Sequence, residues 1–101
     1  MKRYFLTPAA KTDLVEIYEY IHHDKPMAAA RVMARIRDAI RRLAETPGMG
    51  HRREDLTDDD SLRFWPIYSF LIVYRLSKGP IQVLRVVHGA RDVSRILDRV
   101  T

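Results

Sequence analysis

The chain has 101 residues, 47% of them hydrophobic and 31% charged, with no cysteine and a formal net charge of +5. A chain of this size buries only about 60–65% of its unfolded surface, enough for one core but not for two domains, so residues 1–101 are read as one domain. Without cysteine there is no disulfide framework, no Cys-based zinc site and no thiol nucleophile. That usage suits a reducing cytoplasm, the expected location. The opening MKRYFLT holds only a short apolar run before Thr7-Pro8, too short for a secretory signal, and no stretch approaches the ~20 apolar residues of a membrane span.

The charge is unevenly laid out. Residues 1–30 balance to zero. Residues 31–53 carry seven arginines against Asp38 and Glu45, a local +5. Residues 54–60, EDLTDDD, contribute −5, and residues 61–101 restore +5. Two basic segments are thus masked in part by one acidic loop. Arginine outnumbers lysine fourteen to four, and its planar fork suits carboxylate and phosphate recognition.

In chain order, Arg3–Leu6 is a short β-like run. Thr7-Pro8 then supplies a helix N-cap followed by proline at the first helical position. Ala10, Leu14, Ile17, Tyr18 and Ile21 form one apolar helical stripe, with Asp13 and Glu16 placed in early turns where the helix dipole favours them. His22-His23-Asp24-Lys25 breaks the pattern, and Pro26 opens a second helix. Its stripe is Ala29, Val32, Met33, Ile36, Ile40, Leu43 and Ala44, and Thr46-Pro47-Gly48 stops it. Two amphipathic helices joined by about four residues predict an antiparallel hairpin.

After a polar loop over Gly48–Ser61, the period changes. Leu62–Ile67, Phe70–Leu76 and Ile81–His88 are β-branched and aromatic runs separated by short turns, which predicts an antiparallel meander. Alternation places Ile81, Val83, Arg85 and Val87 on one face of the last strand, and Gln82, Leu84, Val86 and His88 on the other. Pro66 suits an edge strand. The first strand can pair only with a later one, so it should close an edge. Arg91–Val100 reads as a short final helix. The order β-α-α-β-β-β-α, a helical hairpin packed on a mostly antiparallel sheet, is α+β.

Enzyme chemistry finds little support in the residues. His22-His23-Asp24 lacks ligand spacing, and Asp58-Asp59-Asp60 lacks the spaced acids and glycine of a calcium loop, so no metal and no cofactor is expected. Gly48-Met49-Gly50 is not a phosphate cradle, and none of the serines sits in a nucleophile elbow. Cleavage of RNA through its 2′-hydroxyl needs a base, an acid and cations on the phosphate. Arg63, Arg85, His88 and Arg91 could supply charge and one titratable group, while Tyr74, within a β-run, reads as a packing residue with a satisfied hydroxyl.

The segments LTPAAKTDLVEIYEYI, ETPGMG, LRFWPIYSFLIVYR and VLRVVHGARDV, in this order, resemble ParE-type toxins of the ParE/RelE superfamily, the toxin half of type II toxin–antitoxin modules. The resemblance implies a helical hairpin on an antiparallel sheet with a C-terminal helix. It also implies a toxin that poisons DNA gyrase without being an enzyme and is neutralised by a small acidic ParD-like antitoxin, with operator DNA reached only through that antitoxin. The alternative within the superfamily is a RelE-like ribosome-dependent mRNA endonuclease. Against it, the mid-strand arginine of that branch falls near Leu71 here, and Ile96 and Leu97 stand where its tyrosine is wanted. On the binding reading, Arg63, Trp65, Tyr68, Arg85 and Arg91 make the expected target-binding surface, since Trp, Tyr and Arg dominate interface hot spots. Arg31, Arg35, Arg42 and Arg75 are the candidate antitoxin contacts. On the nuclease reading, Arg63, Arg85, His88 and Arg91 would be catalytic.

Overall fold

A computed structural model describes residues 3–89. The elements are β1 (Tyr4–Leu6), α1 (Pro8–Asp24), α2 (Pro26–Glu45), a 3-10 turn (Pro47–Met49), β2 (Leu62–Ile67), β3 (Phe70–Arg75) and β4 (Ile81–His88). The expected final helix and Arg91 lie outside the described residues. The strands form one four-stranded sheet in the order β1-β4-β3-β2. β2, β3 and β4 are the antiparallel meander, while β1 lies parallel to β4 through Tyr4–Ile81, Phe5–Gln82 and Leu6–Val83. The sheet is therefore mixed. Pro66 lies on the edge strand β2, where a missing N–H breaks no ladder.

Thr7 joins β1 to α1 and serves both. Its Oγ1 accepts from the Ala10 N–H at 3.1 Å as the helix N-cap, while its own hydroxyl donates to the Leu84 carbonyl at 2.7 Å. Its N–H donates to the Val83 carbonyl at 3.0 Å. α1 runs through His22 and His23 to Asp24, past the break expected at His22, and the ring of His22 packs on Tyr18 with centroids 5.3 Å apart. Only Lys25, at φ −140° and ψ 77°, separates the helices. The reason is steric: Pro26 excludes its predecessor from the helical region but leaves earlier residues free.

The sheet buries both faces. Against the helices lie Ile72, Tyr74, Ile81, Val83 and Val86, packed with Leu14, Ile17, Ile36, Ile40 and Leu43. On the opposite face Leu62, Phe64, Leu71, Val73, Leu84 and Val87 form a second cluster. The alternation expected in β4 is corrected at this point. A bulge shifts the register, because Val73 pairs with Arg85 but Tyr74 pairs with Val83. Leu84 is the extra residue, so Val86 joins Ile81 and Val83 on the helix side, and Val87 joins Leu84 on the other. A strict period of two does not survive one inserted residue.

Candidate functional site

Asp13 is the one buried charged residue among those described, at 8% exposure. Its carboxylate accepts from Arg85 Nε at 2.7 Å and Nη2 at 2.9 Å, and from the Val86 N–H at 3.0 Å. The position read from sequence as a dipole-favoured helix residue instead faces inward and clasps β4. Hydrogen bonding to Asp13 holds the Arg85 guanidinium even more firmly in its charged form. Arg85, proposed from sequence for target contact or catalysis, is thus a fixed part of the α1–β4 joint. Breaking such a pair from one side leaves an uncompensated charge.

The other described sequence candidates divide between three places. Arg63 and Arg75 turn to the acidic loop: Arg63 donates to the Asp60 carbonyl at 2.6 Å, and Arg75 lies 3.5 Å from the Asp59 carboxylate. The same loop holds Arg52 through Asp60 and Glu54, and Arg53 through Asp55 at 2.8 Å. Hydrogen bonds from Ser61, reinforced by the charge of Arg75, hold the Asp59 carboxyl below its usual range. The expected masking of basic charge is therefore a set of named pairs.

Tyr68 and His88 stand at the far end of the sheet. Tyr68 is 59% exposed and holds φ +54° at the first position of the two-residue turn between β2 and β3. That left-handed conformation favours glycine, yet Tyr68 holds it while largely exposed. His88 Nε2 meets the Ser69 hydroxyl at 3.0 Å and its ring packs edge-on to Phe70.

The third place gathers residues that the sequence had assigned to separate surfaces. Between α2 and β2 runs a groove of about 500 Å³ lined by Arg35, Arg42, Arg41, Trp65 and Ile67, with Asp38 and Glu45 on its rim. Arg41 is engaged by Asp38 at 3.1 Å, so three guanidiniums against two carboxylates leave the groove one positive charge. Trp65 is half-buried against the helix-side core and stacks on His51, with centroids 5.7 Å apart and planes 7° from parallel. Arg31 is exposed one turn before Arg35 on α2. His51 was not singled out from sequence, because its place beside Trp65 comes from the isolated bridge between His51 and Phe64.

Tyr74 anchors the turn that follows α2 and leads to His51. Its side chain is fully buried, its hydroxyl donates to the Pro47 carbonyl at 2.6 Å, and it accepts from the Gly50 N–H at 2.9 Å. Burial pushes the phenol above its ordinary pKa. Gly50 must be glycine for a steric reason: a Cβ there would lie 2.8 Å from Tyr74 Cε1 and closer still to the hydroxyl. The ETPGMG segment is thereby explained as a turn moulded on a buried tyrosine.

A family model described as the ParE toxin of type II toxin–antitoxin system parDE matches residues 4–93. The chain belongs to this family. Among its relatives, the Sinorhizobium fredii protein Y4kP is 38% identical over 97 residues, covering 95% of this chain and 97% of the relative. Toxin ParE1 of Mycobacterium tuberculosis is 31% identical over 97 residues, covering 94% and 97%. Toxin RelE2 of Caulobacter vibrioides is 30% identical over 82 residues, covering 81% and 89%. The fold is also that of a chain in the chromosomal ParDE system from P. aeruginosa, with a TM-score of 0.72 at 22% identity, covering 88% and 97% of the two chains. The expected family and the α+β fold class both stand.

Proposed function

We propose that this ParE-family toxin acts in the cytoplasm by poisoning DNA gyrase, and that an acidic ParD-like antitoxin neutralises it. The observation that carries a binding mechanism over a nuclease is the Asp13–Arg85 pair. Arg85, one of the cations the nuclease reading would use, is already paired in bidentate fashion with a carboxylate from α1. A guanidinium held in this way is a poor electrostatic partner for a developing phosphorane, because the transition state would have to compete with a fixed charge.

The antitoxin reading rests on the α2–β2 groove. Its charge is positive, and Arg35 and Arg42 flank an apolar strip formed by Trp65 and Ile67. A segment that alternates acidic and apolar side chains would meet both. A disordered segment of that kind folds as it binds and can cover much of a small domain. Tyr68, exposed in the turn that directly follows Ile67, is left for the target.

The test is a gyrase assay with purified protein. Supercoiling should stop while gyrase-bound cleaved DNA accumulates, and preincubation with the cognate antitoxin should restore supercoiling. Unimpaired supercoiling at doses that arrest growth would overturn the gyrase target. Cleaved messenger on translating ribosomes at those doses would replace it with the nuclease reading.

A further inference from the structure

A second groove lies on the other side of the fold, between α1 and the free part of β4. It measures about 520 Å³ and is lined by Ile17, Tyr20, Phe70, Val86 and Val87, with Glu16 on its wall. Its floor includes main chain as well as side chains. β1 pairs only with Ile81, Gln82 and Val83, so β4 continues past its neighbour to His88. Beyond Val83, α1 and its N-cap residue supply partners in place of a strand. The Thr7 hydroxyl takes the Leu84 carbonyl and the Asp13 carboxylate takes the Val86 N–H.

There the substitution stops. Register is regular from Val86 to His88, and N–H groups alternate between the two edges of a strand. The His88 N–H and the Val86 carbonyl therefore point to the same side as the Val86 N–H, away from β3. No described strand lies on that side. The next amide in the chain, that of Gly89, returns to the β3 side and donates to the Ser69 carbonyl at 2.8 Å. Among the described residues this stretch of strand edge is open beside an apolar trough, and such an edge is a template for an added strand.

The other outer edges are closed to this. On β2, the Phe64 N–H and carbonyl are taken by His51 at 2.9 and 2.8 Å, and Pro66 has no N–H to offer. β1 is three residues long.

Charge selects the occupant. Asp13 and Glu16 against Arg85 leave this groove one negative charge, and the Glu16 carboxylate is exposed. Tyr20, 81% exposed, stands at the rim as an apolar wall with a hydrogen-bonding tip. We infer that the α1–β4 groove is a second docking site, which receives an extended apolar segment of a partner protein carrying a lysine or arginine opposite Glu16, paired by main-chain hydrogen bonds along Val86–His88. Such a segment differs in charge from one suited to the α2–β2 groove. The inference does not depend on gyrase being the target.

Three fluorescein-labelled peptides test it against the full chain: acetyl-Val-Val-Lys-Val-Val-amide, the same peptide with Glu for Lys, and the Lys peptide with N-methylated amides. Binding is followed by anisotropy and by amide shifts of the labelled protein. The Lys peptide should move the Val86, Val87 and His88 amides and bind at least tenfold more tightly than the Glu peptide, while the methylated peptide should not bind. Glu16→Lys should reverse the charge preference, and Tyr20→Ala should weaken both peptides with circular dichroism unchanged. Shifts that bypass Val86–His88, equal affinity for the Lys and Glu peptides, or full binding of the methylated peptide would each overturn the proposal.

Discussion

The two grooves that flank the sheet are nearly equal in volume, about 500 and 520 Å³, yet they offer a partner opposite terms. The α2–β2 groove carries one surplus positive charge and borders a strand whose outward hydrogen bonds are blocked by His51 and Pro66. It can recognise side chains but not main chain. The α1–β4 groove carries one surplus negative charge and borders a strand edge that no other described strand covers past Val86. Size alone would not distinguish them. What separates them is where the buried carboxylate of Asp13 sits and how far β1 reaches.

The sharpest way to break the contrast is Asp13→Ala. It leaves the Arg85 guanidinium and the Val86 N–H without their shared acceptor, so the fold should lose about 3–5 kcal/mol, read from urea unfolding. A loss under about 1 kcal/mol would mean that the pair does not hold α1 against β4.

In the turn after α2, Tyr74→Phe strands the Gly50 N–H and the Pro47 carbonyl and should cost about 1–3 kcal/mol. Gly50→Ala should cost a similar amount by overpacking, about 1–3 kcal/mol, with no alkaline component. The tyrosine also gives a pH signature. Its folded pKa is raised, so below about pH 10 its contribution is complete in both states. As pH climbs, the unfolded chain ionises first and stability falls, and Tyr74→Phe should flatten that part of the alkaline unfolding curve.

Arg35→Glu with Arg42→Glu should change stability by less than about 0.5 kcal/mol, because both side chains are exposed. The pair should slow association of an acidic antitoxin by about tenfold or more, with a weaker salt dependence, measured by stopped flow. The α1–β4 groove should be indifferent to this change. Smallest of all, Arg52→Ala removes an exposed pair network and should cost no more than about 1 kcal/mol.

How much was legible depended on the reach of each interaction. Thr7-Pro8 and Pro26 act on their immediate neighbours, so the helix starts followed from the residues alone. The stripe from Ala29 to Ala44 has only one side that can be buried, and the structure buries it apart from a half-exposed Val32. The end of α1 was misjudged because two histidines and an aspartate resemble a break, whereas only the proline enforces one. In the candidate sites, residue type was informative but grouping was not. Trp65 and Arg35 lie thirty positions apart, and only the packing of α2 beside β2 puts them in one groove.

By itself the sequence determined the element types, their order and the family, because these rest on short-range periodicity, proline and glycine stereochemistry and segment patterns. The tertiary structure decided which arginines are available. Asp13 and Arg85 are separated by 72 positions, and nothing local to either marks the pair. It also placed the β4 bulge and, among the described residues, left a stretch of the β4 edge without a partner strand, since hydrogen-bond pairing between strands belongs to two segments at once. Composition could count the positive charges. Only folding chose which carboxylates neutralise them and which face keeps the remainder.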